Sequence, residues 1–440
     1  MLVRMKKLKR ILKKAMLWFY TMTVRFLPID SRKIVFQSSL GRNAAGSPRA
    51  IYEKIVELGL DQKFKCYYIL DEPKKYYGKL PGRVKFLKNA RFWYYITMAS
   101  AGVWVSDTRF QNYIIKRRGV KYIQTWHGTP LKKLALDLEA LYMAGGETLE
   151  DYKREFVKNT ATWDFLISQN SFSTKVFRRA FGYSGRMLEV GYPRNDVLFL
   201  PLSKEELEKE KQKFGFPAKK RVMLYAPTWR DNAFYNKADY RFDSPMDFEA
   251  MYRAFGEEYI LVVKYHYMVR ENKDWKKFAG FVYPVGDEID IAALYRISEL
   301  LITDYSSVMF DYSILHRPMF FYAYDLEAYR DNLRGFYFDM EQEVPGPIIT
   351  TTKELVQAII ETRKETEQKT NTDNKIDGQT EANNGITVRK TEVEEILGQH
   401  GDNYHNISER YRERYQNFCK KYNPFDDGHA SEKVVELLLK

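Results

Sequence analysis

Short runs of β-branched and aromatic residues alternate with helical patterns along most of this chain of 440 residues. The first series of such runs is Lys33–Gln37, Phe64–Leu70, Gly102–Ser106, Val120–Thr125, Asp164–Ser168 and Met187–Val190. The second series is Val222–Ala226, Tyr259–Lys264, Glu299–Thr303 and Met319–Tyr322. Strands that alternate with helices form parallel sheets with helices on both faces. The sequence therefore predicts an α/β protein with two doubly wound, Rossmann-like domains.

Breaks in these patterns predict where the domains begin and end. The charged helical stretch Leu198–Phe216, bracketed by prolines, separates a first domain at 30–200 from a second at 201–403. Residues 364–402 begin with a tract of Thr, Asn, Gln, Glu and Lys that cannot bury a core, so we predict a disordered insertion there. Helical periodicity returns at 404–440, and we expect these helices to pack back across the domains.

Residues 1–29 carry eight Lys and Arg and no Asp or Glu, so they supply most of the net charge of +13. Apolar residues recur at helical spacing between these cations, which indicates a basic amphipathic helix. Such a helix binds the interface of an anionic leaflet. A signal peptide fits poorly because cations interrupt the apolar stretch, and nucleic acid is disfavoured because no binding-module signature follows. An ordinary helix packed on the protein remains the alternative.

Composition excludes several classes of protein. The two cysteines, Cys66 and Cys419, are too few for a disulfide framework and fit a reducing compartment. No apolar run approaches the 18 or so residues of a membrane span. The sequence contains neither a phosphate-loop signature nor a glycine-rich dinucleotide fingerprint, and no spacing typical of a metal site. We therefore predict no cofactor and no metal.

Polar and cationic side chains directly follow four of the predicted strands, where open parallel sheets bind their ligands. The four segments are Gln124–Lys133, Tyr225–Arg230, Val263–Tyr267 and Thr303–Asp311. In the first, His127 has the pKa range of a base for a hydroxyl group, although a structural histidine remains the alternative.

The other three segments suggest a binding site for phosphate. Arg230 suits bidentate phosphate recognition, unless it forms only a surface salt bridge, and His266 follows the next strand. Ser306 and Ser307 precede a helix whose first amides are free, an arrangement that binds anions or that merely caps the helix. Together these residues predict a phosphate site in the second domain, facing His127 of the first.

Five segments in a fixed order resemble the CDP-glycerol glycerophosphotransferase family of teichoic acid synthesis. They are Thr125–Lys132, Gly191–Asp196, Tyr225–Arg230, Thr303–Ser307 and Arg334–Tyr337. The resemblance extends over about 30–360 and again over 404–440. It implies a glycosyltransferase-B-like fold in which two domains face each other across a cleft, with the acceptor on the N-terminal side and CDP-glycerol bound chiefly by the C-terminal domain.

The resemblance also implies roles for individual residues. His127 is similar to the catalytic base of the family. The positions similar to donor and phosphate contacts are Arg230, His266, Ser306, Ser307, Asp311 and Arg334. Gly128, Thr129, Lys132 and Asp304 would support them.

The implied reaction moves glycerol phosphate from CDP-glycerol to a hydroxyl of an undecaprenyl-linked saccharide or growing teichoic acid chain, and CMP leaves. The enzyme would act at the cytoplasmic face of the membrane as a peripheral protein, with an anionic membrane surface and no nucleic acid among its partners. CDP-ribitol as donor, and a nucleotide-sugar glycosyltransferase on the same fold, remain alternatives. A primase and a polymerase are equally compatible with the residues.

Overall fold

The computed structural model describes residues 15, 17–140, 148–228, 234–236, 239–240, 244–265, 274–330, 335–383 and 404–439. These residues form two compact units. Unit 1 takes those up to His127, those from Leu149 to Asp196 and those from His429 onward. Unit 2 takes Gly128 to Thr148 and Val197 to Gly428.

Unit 1 is built on a sheet of seven parallel strands. In chain order they are β1 (Asp30–Gln37), β2 (Lys65–Leu70), β3 (Lys85–Lys88), β4 (Ala101–Ser106), β5 (Lys121–Gln124), β6 (Phe165–Ser168) and β7 (Arg186–Glu189). The order across the sheet is β3-β2-β1-β4-β5-β6-β7. The helices between them are α1 (Gly46–Glu57), α2 (Phe92–Ser100), α3 (Leu149–Thr160) and α4 (Ser171–Ala180).

Unit 2 repeats this plan with six parallel strands. Its strands are β8 (Arg221–Ala226), β11 (Tyr259–Val263), β12 (Val282–Pro284), β13 (Leu300–Thr303), β14 (Met319–Tyr322) and β15 (Ile348–Ile349), with a separate antiparallel pair, β9 (Phe234–Asn236) and β10 (Asp239–Tyr240). The order across the sheet is β12-β11-β8-β13-β14-β15. Its helices are α5 (Lys204–Lys213), α6 (Phe248–Phe255), α7 (Ile291–Ile297), α8 (Val308–Tyr312), α9 (Leu326–Ala328), α10 (Met340–Glu343), α11 (Thr352–Asn383) and α12 (Glu409–Tyr422).

The prediction of two doubly wound parallel sheets is confirmed, and the predicted strands are all present within a few residues. The sequence missed the edge strands β3, β12 and β15. These strands have two to four residues each, and β3 begins and ends with lysine. Such short or polar strands carry too few apolar residues to show a period.

The strand order reverses at β1/β4 in unit 1 and at β8/β13 in unit 2. In such sheets, ligands bind beyond the carboxyl ends of the strands at this reversal. The central strands are buried on both faces, as in β4 and β13, which explains their continuous apolar runs. Each unit therefore offers one preferred place for a ligand.

The last helix of the described chain, α13 (Ala430–Leu439), belongs to unit 1. Its Val434, Val435 and Leu438 join the hydrophobic core that also contains Ile51 and Ile55 of α1. Helix α12 instead packs in unit 2, where the ring of Phe418 stacks on Phe310 with centroids 5.3 Å apart. The two helices of the predicted 404–440 segment thus belong to different units.

A second difference from the predicted bounds concerns residues 128–148, which join unit 2. The N–H of Lys133 donates to the carbonyl of Gly335 at 2.8 Å, and the N–H of Tyr337 donates to Leu131 at 2.8 Å. Backbone pairing between positions two hundred residues apart leaves no local pattern in the sequence. The boundary between the units therefore falls between His127 and Gly128.

The structure also differs from the predicted disordered insertion at 364–402, because α11 continues to Asn383. The first turns of this tract are held by polar contacts instead of by a core. Arg363 pairs with Glu367 at 3.6 Å, and Lys369 pairs with Glu409 at the start of α12 at 2.9 Å. Ion pairs one turn apart stabilise a helix without apolar burial. Residues 384–402 lie outside the described residues.

Most of the predicted amphipathic helix, residues 1–14 and 16, lies outside the described residues. Residues 17–23 are helical, followed by a 3-10 turn at Val24–Phe26. Tyr20 and Val24 are buried, whereas the exposed fractions of Trp18 and Phe19 are 65% and 58%. In the part of the chain that the structure describes, no helix combines the length and the apolar character needed to cross a bilayer.

Candidate active site

His127 follows β5 in unit 1, next to the point where the strand order reverses. The residue before it, Trp126, has a φ of +53°, which is rare for a bulky side chain. Its N–H donates to Oε1 of Gln124 at 2.9 Å, which holds the turn after the strand. Backbone strain of this kind persists only where the surroundings impose it, and it is common at functional sites.

The imidazole of His127 is held in one orientation by two contacts. Nδ1 lies 2.8 Å from the carbonyl oxygen of Asp107, and the ring stacks on the indole of Trp126 with centroids 4.4 Å apart. Because a carbonyl oxygen only accepts hydrogen bonds, Nδ1 carries the hydrogen and Nε2 is the basic nitrogen. The structure thus prepares Nε2 to accept a proton.

Burial among protein atoms lowers the pKa of His127; the hydrogen bond with the Asp107 carbonyl acts against this shift, and the charge of Arg194 adds to it. The side chain nevertheless reaches solvent. One side of the ring is therefore crowded by protein atoms, and the other side faces water. A lowered pKa keeps the imidazole neutral, and therefore basic, at neutral pH.

Trp126 connects this turn to an aromatic cluster in unit 1. Its ring lies 4.6 Å from that of Phe181, 6.0 Å from Phe177 and 6.5 Å from Trp163, centroid to centroid. These rings come from α4 and from the segments that follow α3 and α4. The cluster therefore fixes Trp126, and through the stacked rings it also fixes His127.

Asp107 is a residue of this site that sequence reasoning missed. It follows β4, it is buried, and its Oδ1 accepts the N–H of Ser39 at 2.8 Å. Burial raises the pKa of Asp107 to about 7, although the Ser39 N–H and the charge of Arg194 both act against this shift. Its position directly after a predicted strand was the signal that could have identified it.

Arg194 is the second residue that was missed, although its segment was among those that carry the family resemblance. It lies in the 3-10 helix Pro193–Phe199. Nη1 donates to the carbonyl of His127 at 3.0 Å, and the guanidinium lies 5.3 Å from the ring centroid of Tyr192. Arg194 thus contacts the backbone of His127.

Asp196, two residues further on, ties this segment to the end of the chain. Its carboxylate accepts the N–H groups of Ala430 at 3.0 Å and Ser431 at 2.7 Å, at the start of α13. The hydroxyl of Ser431 donates to the carbonyl of Pro193 at 3.3 Å. Asp196 therefore caps α13 and connects it to the turn that holds Arg194.

In unit 2, Asp304 follows β13 at the reversal of strand order. Its Oδ1 accepts the N–H of Thr228 at 2.7 Å and that of Tyr305 at 2.6 Å. Thr228 follows β8, so this carboxylate links the ends of the two central strands. Asp304 thus acts on the backbone at the ends of both strands, and its supporting role in a donor site stays a prediction.

Ser306 and Ser307 differ in what their hydroxyls do. Oγ of Ser306 accepts the N–H of Val308 at 3.4 Å, whereas Ser307, at the N-cap of α8, makes no capping bond through its side chain. Helix α8 has only five residues, so its dipole is smaller than the sequence suggested. Asp311 is buried in this helix.

Three segments of the family resemblance meet in unit 2. The ring of Tyr305 stacks on Tyr329 at 4.2 Å, and both rings lie about 6 Å from that of Phe336. Nζ of Lys132 lies 5.0 Å from the centroid of Tyr329, and Lys132 forms a β-bridge with Phe336. The structure thus brings Lys132 to the segment beside Ser306.

Gly128 and Thr129 are buried in the same segment of unit 2 as Lys132. Gly128 has a φ of +151°, which disfavours any residue with a side chain. Arg230, His266 and Arg334 lie outside the described residues. Within the described ranges, no group of three or more His, Cys, Asp or Glu side chains is placed to hold a metal ion.

Comparison with known proteins supports the resemblance. A sequence model of the CDP-glycerol:poly(glycerophosphate) glycerophosphotransferase family matches residues 19–384. The teichoic acid poly(glycerol phosphate) polymerase of Bacillus spizizenii is 41% identical over 375 residues, which are 85% of this chain and 94% of that protein. The polymerase of Bacillus subtilis strain 168 is 43% identical over 334 residues, 76% of this chain. The match covers 44% of that longer protein, so the chain spans less than half its length.

Solved structures show the same relationship. The wall teichoic acid polymerase TagF superposes with a TM-score of 0.79 and 33% sequence identity, covering 100% of this chain and 98% of that one. A TagF variant soaked with CDPG superposes with a TM-score of 0.78 and 32% identity, covering 99% and 96%. The family resemblance is confirmed: the chain belongs to the CDP-glycerol:poly(glycerophosphate) glycerophosphotransferase family.

Proposed function

We propose that this protein transfers glycerol phosphate from CDP-glycerol to a hydroxyl of a lipid-linked saccharide or growing teichoic acid chain and releases CMP. The observation that carries the proposal is the orientation of His127, whose Nδ1 donates to Asp107 and leaves Nε2 basic. Family membership and the TagF variant soaked with CDPG support CDP-glycerol as the donor. The proposal includes the prediction that the two domains face each other across a cleft.

In this mechanism, Nε2 of His127 accepts the proton of the acceptor hydroxyl as its oxygen attacks the β-phosphorus of the donor. The new bond joins that oxygen to phosphorus. The bond from phosphorus to the oxygen bridging both phosphates breaks, and CMP leaves with its electron pair. Phosphoryl transfer depends chiefly on alignment and on stabilisation of negative charge. The imidazole acts as the base, and the donor site aligns the phosphates and stabilises their negative charge.

The donor site is proposed in unit 2, beyond β8, β11 and β13. Asp304 holds the ends of two of these strands together, and the Ser306 and Ser307 hydroxyls lie where the chain leaves β13. The remaining contacts are Arg230 and His266, which follow predicted strands, and Asp311 and Arg334, which rest on the family resemblance. An open parallel sheet binds its ligand at this edge, which favours the assignment.

The direct test incubates the purified protein with CDP-glycerol, CDP-ribitol and a UDP-sugar in turn, each with a short lipid-linked acceptor. We expect CMP release and a new phosphodiester with CDP-glycerol only. Formation of a ribitol phosphodiester would show that the donor is CDP-ribitol and not CDP-glycerol. A glycosidic bond formed from the UDP-sugar would overturn the reaction class.

Changing Ser306 and Ser307 together to alanine is expected to weaken donor binding and transfer jointly. The two hydroxyls would contact the pyrophosphate in both the ground and the transition state, and a hydrogen bond to a charged group contributes about 1.5–3 kcal/mol. We therefore expect the Kd for CDP-glycerol to rise about tenfold or more, measured by calorimetry. The matched control is Ser184→Ala, at an exposed serine of unit 1. Unchanged donor affinity in the double variant would place the donor site elsewhere.

We further propose that the N-terminal segment holds the enzyme on an anionic membrane surface. Residues 17–26 have one buried side, with Tyr20 and Val24, and one exposed side, with Trp18, Phe19 and Phe26. Tryptophan and phenylalanine at an exposed helix surface suit the headgroup region of a bilayer. Seven cations precede them within the first 14 residues.

A neighbouring helix adds to this surface. Helix α2 packs against the Val24–Phe26 turn, and its first two residues, Phe92 and Trp93, are 61% and 66% exposed. The exposed aromatic residues therefore come from two adjacent elements of unit 1. This favours a surface function over simple packing of the N-terminal helix.

Deletion of residues 1–16 is expected to leave the fold intact and to weaken binding to anionic vesicles. The deletion stops before Tyr20, because its buried ring packs 5.5 Å from that of Tyr95. Each cation near an anionic surface contributes about 1 kcal/mol, and salt screens this attraction. Co-sedimentation of both forms at low and high salt measures the effect.

Measuring the transfer activity of both forms distinguishes a loss of membrane anchoring from a loss of catalysis. The deleted form should use a detergent-dispersed acceptor normally and a vesicle-embedded acceptor poorly. If it sediments with anionic vesicles as well as the intact protein does, the N-terminal segment is not the anchor.

A further inference from the structure

The turn that carries His127 is held from three directions. Gln124 accepts the N–H of Trp126, and the Asp107 carbonyl accepts from the imidazole. The third contact reaches the carbonyl of His127 itself, from Nη1 of Arg194 at 3.0 Å. This last contact acts on the peptide between His127 and Gly128, where the backbone continues at φ +151°. The contact holds the carbonyl side of that peptide.

Arg194 is itself held firmly. Its guanidinium lies 5.3 Å from the centroid of Tyr192, a fully buried ring of the unit 1 core. Its backbone N–H donates to Oγ of Ser47, in the first turn of α1, at 3.4 Å. A planar, permanently charged fork fixed in this way is suited to orient a neighbouring carbonyl.

The charge of Arg194 acts on both titratable neighbours in this part of unit 1. It opposes the burial that raises the pKa of Asp107, so it favours the carboxylate form. It adds to the burial that lowers the pKa of His127, so it favours the neutral imidazole. A neutral imidazole is the form that accepts a proton from a hydroxyl.

We propose that Arg194 is a positioning residue for the transfer reaction: it fixes the turn that carries the imidazole of His127 through the His127 carbonyl, and it places a positive charge near that imidazole. The proposal rests on the role of His127 as the base. It assigns a function to the Gly191–Asp196 segment, which otherwise has none in the reaction.

Two variants separate the geometric part from the electrostatic part. Arg194→Gln removes the charge and, because its side chain is shorter, also loses the contact with the His127 carbonyl. Arg194→Lys keeps the charge and removes the planar fork. The matched control is Arg178→Gln, because Arg178 also donates to backbone carbonyls of unit 1, those of Tyr183 and Gly185. Thermal unfolding of all three confirms that they fold.

The first measurement is an NMR titration of the full-length protein with labelled histidine, in which the His127 signal is identified by its loss in His127→Asn. We expect the pKa of His127 to rise in Arg194→Gln and to stay as in the wild type in Arg194→Lys and Arg178→Gln. This readout does not depend on activity. It therefore stands even if His127 proves not to be the base.

The second measurement is the pH dependence of transfer. We expect kcat to fall about 10- to 100-fold in Arg194→Gln, with the KM for CDP-glycerol within about twofold, since misplacement of a reacting group lowers rate and not donor binding. The acidic limb of the kcat profile should move to higher pH. Arg194→Lys should lower kcat without moving that limb.

Two outcomes would overturn the inference. A His127 titration that is identical in Arg194→Gln and the wild type would show that the charge has no influence. A titration that shifts equally in Arg194→Lys and Arg194→Gln would show that the charge is not its cause.

Discussion

Replacing His127 by alanine is expected to lower the rate of glycerol phosphate transfer about 10²- to 10⁴-fold, the usual loss when a positioned base is removed. The affinity for CDP-glycerol should change little, because the imidazole acts on the acceptor proton. The fold should also persist, since the side chain is exposed on one side and its main contact is to the Asp107 carbonyl.

The measurement compares kcat and donor Kd for His127→Ala with those for His429→Ala. His429 is an exposed histidine of the same unit, just before α13, with Nδ1 3.4 Å from Oε2 of Glu432, so its loss should leave the rate unchanged. If His127→Ala keeps more than a tenth of the wild-type rate at equal expression, the base lies elsewhere.

Deletion of residues 429–440 is expected to unfold unit 1. The deletion removes three buried apolar side chains, Val434, Val435 and Leu438, each of which contributes roughly 1.5–3 kcal/mol. Their sum approaches the whole stability of an ordinary domain, about 5–15 kcal/mol. The Asp196 carboxylate also loses two N–H donors. Burial already raises the pKa of Asp196, and these two donors act against that shift by stabilising the charged form.

A pair of point variants tests the same idea without removing the helix. Val435→Asp places a charge in the core and should lower the free energy of unfolding by more than about 3 kcal/mol. Leu439→Asp lies on the same helix at a side chain that is 48% exposed, and should change it by less than about 0.5 kcal/mol. Urea unfolding followed by tryptophan fluorescence measures both. Equal stabilities would show that α13 is dispensable for unit 1.

The fold was predictable from sequence because its central strands are buried on both faces. Runs such as Tyr259–Val263 are continuous in apolar residues, so they can be recognised as buried strands. The ends of such strands then predict where a ligand binds. His127, Asp304, Ser306 and Ser307 were selected as candidate site residues in this way, and their roles stay predictions. The edge strands β3, β12 and β15 were not predicted, because they are short or polar. The unit bounds were not predicted, because they depend on pairing between distant segments such as Lys133 and Gly335.

The unpredicted part of the site consists of groups that act through the backbone. The contact of Asp107 with the imidazole is made by its carbonyl oxygen, which every residue type possesses. Trp126 has a left-handed backbone conformation, which its residue type disfavours. Tertiary packing around the indole imposes this conformation. Arg194 contacts a carbonyl sixty-seven positions away. Neither these two contacts nor the conformation of Trp126 leaves a periodic or compositional trace.

The return of α13 to unit 1 reverses the usual order in which domains are completed on the ribosome. Domains generally finish folding in order from the N-terminus. Here, all residues of unit 2 have been synthesised by Gly428, whereas unit 1 still lacks the helix that covers part of its core. The apolar face of α1 therefore remains uncovered in the nascent chain until after unit 2 has been made. That face is therefore an apolar surface exposed to misassociation during synthesis.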